Sequence, residues 1–207
     1  ESCDVNQSIL RGPNIGEPPS NSALPETISA KVAIKVEDKI TTDHIMPAGP
    51  YLKFRSNVPK YSQYVFSPIK PDFAEECKEN VEHGYYNVIV ARESYGQGSS
   101  REHAALCPMY LGVKAVIAKS IERIHMDNLV NFGILPLLFE NDADYESIQE
   151  GDELFYHCDD ASFAAGVFTV ENKTKSTIYT LRTPLNERQL EIVRAGGKLN
   201  FLRNGGQ

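Results

Sequence analysis

The chain has 207 residues, of which 41% are hydrophobic and 24% charged, a composition typical of a folded globular domain. Its formal net charge of −7 and the lack of a long basic block argue against nucleic-acid binding. The sequence has no run of 18 apolar residues and no signal-peptide core, which argues against a membrane or secretory role. The four cysteines are scattered without a Cys-x-x-Cys pair, which favours reduced thiols over a disulfide framework.

The first 30 residues are expected to form an extended arm. Residues 11–25 hold four of the twelve prolines and show no strand periodicity, which is typical of a linker. The chain begins Glu-Ser-Cys, without a Met, and we expect it to be one piece of a longer polypeptide. Residues 1–30 are therefore predicted to be an arm or interdomain linker, and residues 31–207 a single domain.

Strand and helix patterns alternate through the rest of the chain. A strand over 30–36 precedes a loop to Arg55 and a helix over 72–82. A βαβαβ unit is then predicted, made of strand 86–90, helix 99–111, strand 113–118, helix 121–132 and strand 134–139. Ser120 is expected to cap the second of these helices and Gly133 to end it. Beyond Gly151, short strands and a helix near 186–195 are predicted.

The turn from Tyr95 to His103 is the most informative segment. It places two glycines, two serines and Arg101 between a strand and a helix, where backbone N–H groups and the helix dipole favour an anion. Spacing alone leaves an alternative open, namely a serine-capped turn without a ligand. The turn is neither a Walker loop nor a GxGxxG fingerprint, so nucleotide binding is not favoured.

Several segments resemble the swivel domain of the aconitase family, in one order over about residues 31–203. One of these segments is the turn with its continuation Ala-Ala-Leu-Cys-Pro-Met-Tyr-Leu-Gly112. The others are Thr41–Arg55, Ala118–His125, Asn128–Leu129, Gly133–Leu137 and Val193–Gly197. The resemblance implies an α/β swivelling domain of β/β/α type, with a central βαβαβ unit and additional C-terminal strands. It also implies a hydro-lyase, aconitate hydratase, which interconverts citrate and isocitrate through cis-aconitate.

The resemblance assigns roles to four residues. The position of Ser99 is that of the base that abstracts the proton beside a substrate carboxylate, and Ser100 then donates a hydrogen bond to the substrate. Arg55 and Arg101 match arginines that hold substrate carboxylates, a task that suits a planar guanidinium. Taken alone, each arginine could equally be a surface residue paired with a carboxylate.

Asp43 and His44 are further candidate catalytic residues. The resemblance puts Asp43 in the active site, where a carboxylate can orient histidine or arginine side chains. No third ligand lies at a suggestive spacing, so no metal site is predicted in this chain. His103 is expected to be structural, and His125 to be a hydrogen-bonded packing residue.

The cofactor that the resemblance implies is a [4Fe–4S] cluster, bound by cysteines on other domains, with an open iron that acts as a Lewis acid. The scattered cysteines of this chain do not form such a set. The expected partners are the N-terminal cluster-bearing domains, on the same polypeptide or on a separate large subunit, and a tricarboxylate substrate. By itself the chain is expected to be folded and inactive.

The sequence leaves two alternative functions open. A small subunit of isopropylmalate dehydratase or homoaconitase type shares the Gly-Ser-Ser-Arg-Glu-His core, whereas Asp43-His-Ile and the proline-rich arm favour aconitase. An RNA-binding module is disfavoured by the acidic balance. Met46 stands where mitochondrial-type aconitases carry Ser, which favours a bacterial branch and a cytoplasmic location over the mitochondrial matrix.

Overall fold

A seven-stranded sheet forms the centre of the computed structural model, which describes residues 10–206. Its strands are β1 (Thr27–Val36), β2 (Tyr86–Ala91), β3 (Val113–Ala118), β4 (Leu135–Phe139), β5 (Glu153–His157), β6 (Val167–Asn172) and β7 (Thr177–Arg182). The helices are α1 (Thr42–Ile45), α2 (Val58–Tyr61), α3 (Phe73–Glu82), α4 (His103–Tyr110), α5 (Arg123–Asn131), α6 (Asp144–Ser147), α7 (Asp160–Ala165), α8 (Glu187–Arg194) and α9 (Lys198–Arg203). Two 3₁₀ turns span Gly49–Phe54 and Ser62–Tyr64.

The strands close into a barrel in the order β1-β2-β3-β4-β7-β6-β5, and β5 pairs back onto β1. The first four strands run parallel, and helices supply the crossover connections that parallel neighbours need; the other joins are antiparallel. The join between β4 and β7 is short, with only the pairs Leu138–Arg182 and Phe139–Leu181. An ion pair between Arg182 and Glu140 lies beside it.

Two hydrophobic cores follow from the alternation of side chains along the parallel strands. On β2, Val88 and Val90 belong to the core that also contains β5, β6 and β7, which is the barrel interior. Ile89 and Ala91 belong to a second core beneath α3 and α4. The parallel part of the sheet is thus covered on both faces, which explains why β2 and β3 are mostly apolar without alternation.

The predicted βαβαβ unit is confirmed, and strand 113–118 is found at the predicted residues. Two helix starts were predicted too early, since α4 begins at His103 and α5 at Arg123. Ser120 does not cap α5; its hydroxyl instead accepts a hydrogen bond from the Ser94 N–H at 2.8 Å. Gly133 follows α5 with a φ of +72°, the conformation expected of a helix stop.

The α/β class is confirmed, and the sheet closes into a barrel, which was not predicted. The additional C-terminal strands are present, but they complete the same sheet, because β5 pairs with β1 through residues such as His157 and Thr27. Local patterns show where strands occur and not which distant strands meet, so the closure could not be seen from periodicity.

The last part of the predicted arm is packed against the domain. The Asn21 amide donates to the Phe132 carbonyl at 3.0 Å, the Lys114 ammonium donates to the Asn21 side-chain oxygen at 2.7 Å, and the Leu24 N–H donates to the Arg194 carbonyl at 2.9 Å. The arm then enters β1, which begins at Thr27, before the predicted strand start at residue 30. Within residues 10–206, no helix has the length and apolar character needed to cross a membrane.

Candidate functional site

Two loops that are far apart in sequence meet where β1 and β2 end. The N–H groups of Gly96 and Gln97 donate to the Ile40 carbonyl at 2.7 and 3.0 Å, and the Thr42 N–H donates to the Gln97 carbonyl at 2.8 Å. The Thr42 hydroxyl donates to the Ser99 carbonyl at 3.0 Å. Because the carboxyl ends of parallel strands meet at one edge of the sheet, the topology brings the two sequence motifs together at the usual position of an α/β ligand site.

Arg101 and Asp43 form a bidentate ion pair across these loops. The Nη1 group donates to Oδ1 of Asp43, and Nη2 donates to Oδ2 at 3.1 Å. The Arg101 hydrogen bond is the main reason that the pKa of the Asp43 carboxyl lies below its ordinary value. Asp43 is therefore ionised at neutral pH and holds the guanidinium in one plane.

The pair leaves one edge of the Arg101 guanidinium without a partner in the described residues. A guanidinium has five N–H donors. Nη1 is directed at Asp43 and at the Met46 carbonyl, 3.4 Å away, and Nη2 uses one hydrogen on Asp43. The Nε–H and the second Nη2 hydrogen lie on the same side of the group and can bind a second carboxylate in bidentate fashion.

Ser99 and Ser100 are exposed at the outer end of the same loop. The residue at the N-cap position of α4 is Glu102, and its side chain makes no capping hydrogen bond. The serine-capped turn, left open by the spacing, is therefore not what this loop forms. Among the described residues, neither serine hydroxyl has a hydrogen-bond partner, so both can contact a ligand.

Arg55 is held beside this loop through its backbone. It ends the 3₁₀ turn Gly49–Phe54, and its side chain is exposed. The His103 ring donates from Nε2 to the Arg55 carbonyl at 2.8 Å, and the Tyr61 ring lies 5.3 Å from the His103 ring. His103, at the first position of α4, thus connects Arg55 to the helix that follows Arg101, which agrees with the structural role expected for it.

His44 is exposed and forms part of the cap of α1. Its backbone N–H donates to the Thr41 hydroxyl at 3.2 Å, and its Nδ1 accepts the Thr41 N–H at 3.1 Å. Because Nδ1 is an acceptor, the neutral ring carries its proton on Nε2. The capping role was not predicted, although Thr41 three residues before a polar side chain is a capping-box pattern.

His125 supports the glycine turn from below. A Cβ added to Gly96, whose φ is +89°, would lie 2.3 Å from the His125 ring, and the Tyr95 ring packs against the same imidazole at 5.2 Å. Burial lowers the pKa of His125 to about 4, so the ring is neutral at physiological pH. The packing role was predicted, but the expected hydrogen bonds of this ring are absent within the described residues.

The described residues contain no group of three or more His, Cys, Asp or Glu side chains that could hold a metal ion. Cys77, Cys107 and Cys158 are buried, and burial raises the pKa of each thiol. Separate buried thiols do not fit the ligand set of an iron–sulfur cluster.

Comparison with known proteins shows the family of this chain. Residues 55–142 match the model of the aconitase C-terminal domain. The 3-isopropylmalate dehydratase small subunit 2 of Archaeoglobus fulgidus is 38% identical, and the alignment covers 84% of this chain and 94% of that protein. The chain belongs to the aconitase C-terminal domain family. Its members in these comparisons include aconitate hydratases and isopropylmalate dehydratases.

Other members of the aconitase C-terminal domain family relate to this chain over different shares of their length. The probable mitochondrial aconitate hydratase of Caenorhabditis elegans is 40% identical, over 84% of this chain and 25% of that protein. The chain thus spans about a quarter of the aconitate hydratases that it matches. A crystal structure of 3-isopropylmalate dehydratase from Methanocaldococcus jannaschii has a TM-score of 0.70 at 31% identity, covering 86% of this chain and 95% of that one.

The cytoplasmic location expected from the sequence is contradicted by the family relatives. The aconitate hydratases of Caenorhabditis elegans, Gracilaria gracilis and two yeasts are all named as mitochondrial. The expectation rested on Met46, whose side chain is fully buried. A buried apolar residue reports on local packing and not on the compartment, which is why this inference was wrong.

Proposed function

We propose that this chain is the swivelling C-terminal domain of an aconitate hydratase, which interconverts citrate and isocitrate through cis-aconitate. The observation that carries the proposal is the Arg101–Asp43 pair beside the exposed Ser99 and Ser100. It gives one loop a fixed cation with free donors and two hydroxyls, which suits a substrate that has several carboxylates.

Ser99 is the proposed base, taking the proton from the carbon beside a substrate carboxylate. An alcohol is a poor base at neutral pH unless its anion is stabilised. Arg101, two residues along, and the backbone N–H groups of residues 98–101, which are not used by the bonds to Ile40, can provide such stabilisation once water is displaced. Ser100 donates its hydroxyl hydrogen to the substrate.

The arginines hold the carboxylates on either side of the reacting carbon. Arg101 uses its free edge, while Asp43 keeps the other edge occupied and the plane fixed. Arg55 supplies a second guanidinium from the neighbouring loop, anchored by His103. His44, with its proton on the exposed Nε2, donates to a substrate oxygen and completes the polar lining.

The remaining parts of the site belong to partner domains. Family membership implies a [4Fe–4S] cluster held elsewhere, and the described residues provide no ligand set for it. We propose that residues 1–30 connect this chain to the cluster-bearing domains, or that the cluster-bearing domains form a separate large subunit. In both arrangements, residues 31–207 move against the cluster-bearing domains as one unit. The 3-isopropylmalate dehydratase relative, named as a small subunit, supports such an assembly.

Replacing Ser99 by Ala tests the base assignment in the assembled enzyme. We expect kcat for citrate to fall by about three orders of magnitude or more, while the dissociation constant for citrate changes less than about tenfold. Ser100→Ala is the matched control and should weaken citrate binding more than Ser99→Ala does. Equal losses in turnover and binding for Ser99→Ala would contradict the role of base.

A second function rests on a specific observation. The Archaeoglobus fulgidus small subunit of 3-isopropylmalate dehydratase is covered over 94% of its length by this chain. An assay of the assembled enzyme with citrate, homocitrate and 3-isopropylmalate in parallel separates the candidates. A higher kcat/KM for 3-isopropylmalate would replace the aconitate hydratase proposal, whereas preference for homocitrate would indicate the homoaconitase type.

A further inference from the structure

The N-terminal arm contacts the loop that carries Arg55. The Gly16 N–H donates to the Ser56 carbonyl at 2.9 Å. Gly16 also lies against Asn57, since an added Cβ would be 2.9 Å from the Asn57 side-chain oxygen and 3.2 Å from its Cα. The arm therefore passes directly over the peptide that follows Arg55.

An open surface depression of about 470 Å³ lies between the arm and this loop, and Arg55 forms part of its wall. The arm contributes Asn14 and Ile15 to the wall, and the loop contributes Leu52, Lys53, Arg55 and Ser56. Part of the immediate surroundings of Arg55 is thus provided by a segment some forty residues earlier in the chain.

The backbone around Arg55 is held by two hydrogen bonds from distant parts of the chain. His103 donates to the Arg55 carbonyl at 2.8 Å, and Gly16 donates to the carbonyl of the next residue, Ser56, at 2.9 Å. Within residues 10–206, the Arg55 side chain forms no ion pair comparable to that of Arg101 with Asp43. The point from which its side chain extends therefore depends on the backbone position that these two hydrogen bonds set.

We infer that residues 14–16 of the arm are positioning residues of the substrate site, acting through Arg55 on the binding of a substrate carboxylate. The inference deepens the proposed function and rests on the role given there to Arg55. Asp43 positions Arg101 through its side chain, whereas the arm positions Arg55 through its backbone. A segment expected to be only a linker thereby takes part in carboxylate binding.

Two glycines of the arm provide a matched pair of substitutions. Gly16→Ala places a methyl group 2.9 Å from the Asn57 side-chain oxygen and 3.2 Å from its Cα, so the loop has to shift by a few tenths of an ångström. Gly12→Ala places it in open space, where the nearest atom is the Ile15 Cδ1 at 3.9 Å. Both changes add the same group to the same arm, and they differ in whether the Arg55 loop has to move.

The kinetic test uses the assembled enzyme with citrate. We expect Gly16→Ala to raise KM about three- to tenfold with kcat changed less than twofold, because a small displacement of one guanidinium weakens binding more than chemistry. Gly12→Ala should match the parent enzyme. In the double variant with Arg55→Ala, Gly16→Ala should cause no further rise in KM, which a general structural defect would not reproduce.

A second readout does not depend on the reaction. Amide hydrogen exchange of the full chain should be faster over residues 55–57 in Gly16→Ala than in Gly12→Ala. If Arg55→Ala leaves KM unchanged, Arg55 does not bind substrate as proposed. The arm then has no effect on substrate binding through Arg55, even if faster amide exchange in Gly16→Ala shows that the arm contacts the loop. If Arg55→Ala raises KM while Gly16→Ala behaves as Gly12→Ala, the arm inference alone is overturned.

Discussion

At the scale of single residues, the Arg101–Asp43 pair is better suited to orientation than to stability. The Asp43 side chain is 63% exposed and that of Arg101 24% exposed, and exposed ion pairs contribute about 1 kcal/mol or less to folding. Its bidentate geometry instead restricts the guanidinium to one plane. The value of the pair should therefore appear in substrate binding.

Asp43→Asn tests whether the ion pair orients Arg101 or stabilises the fold. We expect kcat/KM for citrate to fall about 10- to 100-fold, because the guanidinium loses its fixed plane, while the melting temperature shifts by no more than about 2 °C. Asp160→Asn is the control, since Asp160 in α7 pairs with Arg194 in α8 in a more exposed ion pair away from the site, with side chains 89% and 44% exposed. A large loss of melting temperature with unchanged kinetics would contradict an orienting role.

The ionisation of Asp43 also has a pH consequence with a defined sign. Because the pKa of this carboxyl is lowered in the folded chain, its contribution to stability is present above the unfolded pKa and is lost as pH falls through the folded value. This loss of stability occurs at pH values below 3.8, the ordinary pKa of an aspartate carboxyl. Activity changes above pH 5 should therefore come from other groups.

At the scale of elements, the sequence predicted the strands and helices better than the loops. The strands β2 and β3 and the helix α3 lie within about two residues of their predicted positions, and both strands are short apolar runs because they are buried on both faces. The loop that carries Ser99 is held by hydrogen bonds to the Ile40 carbonyl and from Thr42, more than fifty residues away. Such contacts leave no local pattern, so the late start of α4 was not foreseen, whereas the missed His44 cap had a local signal in Thr41.

The contact of α5 with the glycine turn can be measured with two glycines. Gly96 and Gly98 both have positive φ, at +89° and +98°, but a Cβ on Gly96 meets the His125 ring at 2.3 Å, whereas one on Gly98 meets only the Thr42 hydroxyl at 3.7 Å. We expect Gly98→Ala to cost about 1–2 kcal/mol in the free energy of unfolding and Gly96→Ala about 1–3 kcal/mol more.

Urea unfolding of the full chain measures both glycine variants. Removing the ring in the double variant Gly96→Ala, His125→Ala should recover part of the extra loss, since the clash disappears. Equal destabilisation by the two single variants would show that backbone conformation alone sets the cost, and that α5 does not support the turn.

At the scale of the whole molecule, closure of the barrel defines the folding unit. The segment that matches the family model, residues 55–142, contains β2, β3 and β4 but lacks β1 and the three C-terminal strands. The strands that this segment lacks also contribute to the barrel interior, with residues such as Ile28, Leu154 and Phe168. The family match is therefore shorter than the unit that buries the core.

Truncation tests this statement. A chain of residues 55–142 should give an unfolded circular dichroism spectrum, because its strands leave the interior face uncovered. A chain of residues 27–206 keeps every described strand and should unfold cooperatively. A cooperative thermal transition for the shorter chain would show that the parallel unit folds without closure.

The short join between β4 and β7 gives the barrel a preferred place to open. Two residue pairs hold it, with the ion pair of Glu140 and Arg182 beside them, whereas β6 and β7 share six residue pairs. Separation there would turn the ring into an open sheet whose two new edges expose unpaired N–H and C=O groups, the usual templates for strand-to-strand aggregation. The same join that completes the fold thus marks where aggregation of this domain would begin.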